Sequence, residues 1–274
     1  MTSPSRSAAR WACTERFPGT LAGSGEPHLI PPMPPRFFVD TPLAGPAELS
    51  LPASAARHVQ VLRLQPGSPL TLFDGSGDEW QAEVTAMGRS EVRVQLLARQ
   101  LVNRELATAL TLCVVMPAND RMDGIVEKAT ELGAVAIQPL MSERSVLRLQ
   151  GDRAQKKQAH WQGVAIAAAE QCGRACVTQI HPVQTLAAWL SGLDAAAPSR
   201  RWLLSPTAAR PLAERAAGEP QPTLVLSGPE GGLSPAEEQA ARERGFEALQ
   251  LGPRILRADT APLAVLGWVA LQQG

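Results

Sequence analysis

TLVLSGPEGGLSPAEEQAARERGFEALQLGPRILRADTA, Thr223 to Ala261, is the stretch that decides the fold. Its first residues, Leu224, Val225 and Leu226, form an apolar strand running straight into Ser227-Gly228-Pro229-Glu230-Gly231-Gly232. Ser234-Pro235 then opens a helix, because Ser caps free N–H groups and Pro is pre-set for a first helical turn. A second short strand, Ala248 to Leu251, ends in another tight loop, Gly252-Pro253-Arg254. Two strands that empty into loops with little side chain leave backbone groups open at one sheet edge, where a flat ligand can come close. That edge is the candidate active site.

Upstream, the chain alternates strand and helix. The predicted strands are Leu110 to Val115, Val135 to Leu140, Val177 to Ile180 and Trp202 to Leu204; the helices between them are Arg121 to Leu132, Asp152 to Gln171 and Leu186 to Leu190. Such alternation implies a parallel sheet covered by helices on both faces, with ligands at the carboxyl ends of the strands. Residues 36 to 99 read differently: short period-two runs such as Leu70 to Phe73, Trp80 to Met87 and Glu91 to Leu97 are punctuated by Asp74-Gly75-Ser76-Gly77 and Gly88-Arg89-Ser90. Consecutive hairpin signals suggest a small barrel, with one helix at Ser54 to Leu64. Asn103 to Ala107 reads as a linker. Asp74 to Gly77 sits between two strands rather than before a helix, so it is read as a hairpin turn.

The totals exclude several classes. The formal net charge is zero, so an RNA contact must be a local patch rather than a basic domain. Residues 36 to 103 carry six Arg against seven acids, a balance of minus one. Cys13, Cys113, Cys172 and Cys176 make no disulfide framework or complete zinc site, which fits a reducing, cytoplasmic setting without a metal; Cys113 is expected to be a core residue. No apolar run is long enough to span a membrane. Residues 1 to 35 have the composition of a disordered extension; an Arg- and Ser-rich transit peptide is an alternative, and Met33 is the expected initiator.

LSGPEGGLSPAE followed by LGPRILRADTA resembles the paired C-terminal motifs of the RsmE family, methyltransferases of the SPOUT class. The resemblance extends upstream through Ala169-Glu170-Gln171-Cys172-Gly173-Arg174, Ser142-Glu143-Arg144-Ser145, Gln138-Pro139-Leu140 and Glu127-Lys128-Ala129-Thr130-Glu131-Leu132-Gly133 to Arg36-Phe37-Phe38-Val39. It implies S-adenosylmethionine-dependent methylation of uracil N3 in 16S ribosomal RNA of the small subunit. It also implies a PUA-like RNA-binding barrel over 36–103, a trefoil-knotted α/β domain over 107–274, and a homodimer to which the apolar helix Pro262 to Leu271, with Trp268, contributes.

By the same resemblance the methyl donor sits against Leu226, Ser227, Gly228, Pro229, Glu230, Gly231, Gly232, Leu251, Gly252, Arg254, Ile255 and Leu256. Arg257 and Asp259 are the candidate catalytic residues, although Asp259 stands where the family commonly has Glu. A cap on the last helix is the alternative for Asp259. Arg36, Arg63, Arg144 and Arg174 are the candidate RNA contacts, against a reading as surface charges. Trp161 is expected in the core, and Glu127, Lys128 and Glu131 as a surface pair network on one helix. Two further functions share these features: a non-catalytic RNA-binding or ribosome-assembly protein of the same fold, and a methyltransferase acting on transfer RNA.

Overall fold

A computed structural model of the chain describes residues 34–89, 91–194, 197, 199–208, 210–214 and 219–273. The expectations for residues 1 to 33, Met33 included, lie outside the described residues. Pro34–Gly274 forms one compact unit built on two sheets.

The first sheet holds β1 (Arg36–Phe38), β2 (Glu48–Ser50), β3 (Pro69–Phe73), β4 (Asp78–Met87) and β5 (Val92–Leu101), in the order β1-β3-β4-β5-β2, with α1 (Ala53–Val61) beside it. Alternation along β4 explains the packing: Trp80, Ala82 and Val84 turn into a core with Phe37, Leu72 and Val94, while Gln81, Glu83 and Thr85 face outward. Ala55, Ala56 and Val59 of α1 close that core. The hairpin turn at Asp74 forms as read: its Oδ1 accepts from Ser76 N at 3.0 Å and its Oδ2 from Leu43 N at 2.9 Å.

The second sheet is parallel, in the order β12-β10-β11-β6-β7-β8. Its members are β6 (Leu110–Val115), β7 (Ala136–Met141), β8 (Gln179–Ile180), β10 (Arg200–Leu204), β11 (Thr223–Ser227) and β12 (Glu247–Leu249); β9 (Gln184–Thr185) pairs with β7. The period of two again assigns the faces. Leu110, Leu112 and Val114 of β6 enter a core with α2 (Arg121–Glu131), α3 (Gly151–Cys172) and α6 (Thr260–Gln273). Cys113 and Val115 enter the opposite core, under α4 (Leu186–Gly192) and α5 (Pro235–Glu243). Both faces are covered, as a parallel sheet requires. Cys113 is fully buried, and that burial pushes its thiol far above the ordinary range.

The expected linker is a clasp instead. Arg104 Nη1 donates to Gly173 O at 2.6 Å and pairs with the buried Glu79, while Glu105 pairs with Arg174. Phe38 N donates to Glu170 Oε1 at 2.9 Å, and Phe38 and Phe73 pack on Ala169, Ala175 and Val177. The first sheet is thereby bonded to the end of α3. Cys176 lies outside the helix: α3 stops at Cys172 because Gly173 takes a left-handed φ of 86°.

Candidate active site

β10, β11 and β12 are neighbours, so their carboxyl ends open side by side on one cavity of about 490 Å³. β11 exits through Ser227-Gly228-Pro229-Glu230, and Gly232 and Leu233 complete that wall. Leu249, Leu251 and Gly252 form the second wall, followed by Arg254, Ile255, Leu256 and Arg257. Leu204, Ser205 and Pro206 at the end of β10 supply a third that sequence reasoning missed. The available signal was the short strand Trp202 to Leu204, whose neighbour in the sheet could not be read from its own residues.

The backbone at both loops is held close. A side chain at Gly228 would bring its Cβ within 3.1 Å of Leu233 N and 3.3 Å of the Gly232 carbonyl carbon. Gly252 has φ 93°, a conformation that side chains rarely adopt. Ser227 Oγ is buried on the cavity wall and has no hydrogen-bond partner within the protein. A buried hydroxyl without a partner is costly, so this one is suited to a ligand that donates or accepts there.

The loop after Gly232 is set by α5. Ser234 Oγ accepts from Glu237 N at 3.2 Å and Glu237 Oε2 accepts from Ser234 N at 2.9 Å, a reciprocal capping box. Glu237 Oε1 also accepts from Glu143 N at 2.8 Å, which joins loop 142–145 to the site. Arg144 follows, and its Nη1 donates to Gly231 O at 2.8 Å and to Leu233 O at 3.3 Å. Arg144 therefore props the glycine loop from outside.

Several expected residues fall elsewhere. Leu226 is turned into the core beneath α4 and α5, because it is one residue out of phase with Ser227 on the strand. Gly231 faces Arg144 rather than the cavity. Ile255 lines the mouth but is 86% exposed, so it is a rim residue more than an apolar wall.

Two of the four expected RNA-binding arginines are structural. Arg174 is 3% exposed; its guanidinium donates to Thr130 O, Ala134 O, Thr178 Oγ1 and the Glu105 carboxylate. Arg36 lies over the Phe73 ring, pairs with Glu79 Oε1 at 2.6 Å and donates to Arg174 O at 3.1 Å. Burial removes both side chains from the surface, although Arg36 Nε is left without a partner. Arg63, with φ 56°, and Arg144 are exposed.

Asp259 precedes the first residue of α6, yet no hydrogen bond caps the helix: its Oδ1 is buried and unpartnered. It lines a second cavity, of about 610 Å³, with Asp120, Arg121, Lys128, Thr260 and Leu263. Trp161 is core, and its indole N–H donates to Asp123 Oδ1 at 3.0 Å. Lys128 bonds Glu127 and Glu131 at 2.7 and 2.8 Å, the expected surface network. In α6, Val265, Leu266 and Val269 are buried in the chain's own core and Trp268 packs edge-on against Trp202. Among the described residues there is no group of three or more His, Cys, Asp or Glu placed to hold a metal, and no helix long and apolar enough to cross a membrane.

The chain joins a smaller five-stranded sheet to a parallel sheet whose adjacent strand exits share one cavity, and the matching family models put this arrangement in the class of RNA methyltransferases. Residues 104–270 match the RNA methyltransferase domain and residues 51–97 the RNA methyltransferase PUA domain. Ribosomal RNA small subunit methyltransferase E of a Synechocystis strain is 32% identical, over 81% of this chain and 73% of that one. The Bacillus subtilis protein of the same description is 30% identical, over 78% of this chain and 86% of its own length. The chain belongs to the ribosomal RNA small subunit methyltransferase E family.

Solved structures agree. The Neisseria gonorrhoeae member bound to S-adenosylmethionine is 34% identical with a TM-score of 0.80, covering 87% of this chain and 97% of that one. A Legionella pneumophila methyltransferase in complex with the same cofactor is 28% identical with a TM-score of 0.81, over the same shares.

Proposed function

We propose that this chain methylates uracil N3 in 16S ribosomal RNA of the small subunit, with S-adenosylmethionine in the cavity between Pro229 and Leu256. The convergence of the two glycine-bearing strand exits on one cavity carries this reading. The residues fit the donor: backbone groups around Gly228 and Gly252 are open to an adenine edge, the unpartnered Ser227 Oγ faces inward, and the volume lies within the usual range for small-molecule sites. The donor supplies an electrophilic methyl on a sulfonium that departs as a neutral thioether. Leu204, Leu249, Leu251 and Leu256 provide apolar cover that keeps water from competing.

In this reading residues 36–103 form the RNA-docking part and 107–274 the transfer part, the latter threaded as a trefoil knot. Arg63 and the outer side of Arg144 remain the candidate phosphate contacts. The enzyme works in the cytoplasm as a homodimer. The part of α6 available to a partner is the side carrying Leu271, which is 85% exposed, since the opposite side is already packed. Mass mapping of small-subunit RNA from a deletion strain tests the reading: a single uridine lacking its N3 methyl is expected, restored by the intact gene. A full complement of methylated uridines in that strain would overturn it.

A further inference from the structure

The two cavities share one side chain. Arg121, the first residue of α2, lines the wall of the donor cavity beside Glu230 and also the wall of the second cavity beside Asp259. Its position is held from behind: Glu230 Oε1 lies 3.3 Å from Arg121 Nη1, and the same carboxylate accepts from Ala118 N at 3.1 and 3.3 Å. The chain reaches this point through Asn119, whose φ of 63° places it in the left-handed region. Asn adopts this region more readily than most residues, so the turn into α2 is made without strain. A cation in the first turn opposes the helix dipole, which favours anions there. Arg121 thus runs against one local preference at the place where the cavities meet. Violations of this kind mark function more often than stability.

The second cavity offers what a methyl acceptor needs. Asp259 lines this cavity with a carboxylate that has no hydrogen-bond partner, its Oδ1 being buried, whereas Asp120 on the same wall pairs with Lys157 at 3.3 Å. Among the described residues, the Arg121 guanidinium pairs only through Nη1, with Glu230, so its remaining N–H groups are available.

We infer that the cavity between α2 and α6 receives the pyrimidine to be methylated, and that Arg121, oriented by Glu230, donates to a carbonyl oxygen of that base. The inference rests on the methyltransferase reading above. When N3 forms the new bond to carbon with its electron pair, its proton passes to a base, here the unpaired Asp259 carboxylate. As that proton leaves, negative charge spreads onto the ring oxygens, and a fixed cation facing them lowers the barrier. Glu230 is a positioning residue: it touches Arg121 and not the base.

The test is steady-state kinetics of the intact protein on small subunits, together with calorimetric binding of S-adenosylmethionine, for the parent, Arg121→Ala, Arg121→Lys and Glu230→Gln. Removing one charge-stabilising donor costs about 100-fold in kcat, so Arg121→Ala is expected to fall by that order, with a loss of donor affinity well below it although Arg121 also borders the donor cavity. Its kcat–pH profile moves to higher pH, because the acceptor loses the cation that favours its deprotonated form. Arg121→Lys recovers part of the loss, and Glu230→Gln falls between parent and Arg121→Ala. Full turnover in Arg121→Ala would overturn the role. A collapse of donor affinity would also overturn it, by placing Arg121 in the donor site. Absence of parent turnover and donor binding would remove the methyltransferase reading itself, a result distinct from either.

Discussion

Gly228 shows how little room the site leaves. A methyl group there meets backbone at Leu233 N, not a side chain that can swing away. Overpacking of this kind costs about 1–3 kcal/mol. If the strain falls on the binding conformation of the loop, Gly228→Ala weakens S-adenosylmethionine by about tenfold, since 1.4 kcal/mol is one decade; calorimetry reads this directly. Asp259 is a different case. Because its Oδ1 caps nothing, Asp259→Asn is expected to leave stability within about 0.5 kcal/mol. Loss of a general base costs about 100-fold or more in rate, so unchanged melting with depressed turnover is the expected pair of results. The glycine loops could be recognised in the sequence from residue type and order alone. Arg36 and Arg174 could not be told from surface arginines, because what buries them, Glu79 and Glu105, lies 43 and 69 positions away. The pairing of Arg121 with Glu230, 109 positions apart, escaped for the same reason.

Elements followed the local signals where those signals were self-contained. Leu110–Val115 has the expected bounds because an apolar run covered on both faces stops just before Pro117, which has no N–H for a ladder. The opening of α5 was equally readable, since Ser234, Pro235 and Glu237 form a capping box within four residues. Ser234→Ala removes it, at about 1 kcal/mol. Since Glu237 also holds Glu143 N, that variant is expected to lower the melting temperature by a few degrees and to loosen loop 142–145, measurable as faster amide exchange at Glu143. Glu48–Ser50 was missed: three residues carry no period, and β2 exists only because β5 offers it an edge. Asp259 looked like a cap by position, and only the direction of its side chain shows otherwise.

On the scale of the whole molecule, the junction between the two sheets is polar and titratable. Glu170 of α3 accepts from Phe38 N and faces His58 Nδ1 at 3.3 Å. Burial raises its carboxyl above the ordinary 4.5, against the opposing pull of the Phe38 N–H, His58 and Arg36. A carboxyl raised in the folded state contributes stability that is complete below its unfolded value and is lost as pH climbs through the folded one. Glu170→Gln keeps an acceptor for Phe38 N and has no charge to desolvate. The parent is therefore expected to lose stability relative to the variant as pH rises from 4.5 upward, in melting curves taken across that range. Here the sequence was least informative: residues 103 to 107 read as a linker, yet Arg104 and Glu105 reach Gly173 and Arg174 and fasten the two halves.

That fastening makes the protein a caliper with a set gap. With residues 103 to 107 bonded to Gly173 and Arg174, any change in the span from the first sheet to the cavity has to break those bonds. Fitting must then be done by the nucleic acid, which has to bend or unstack until its target base meets a jaw that does not adjust. Selection among uridines becomes a measurement of distance along a folded RNA.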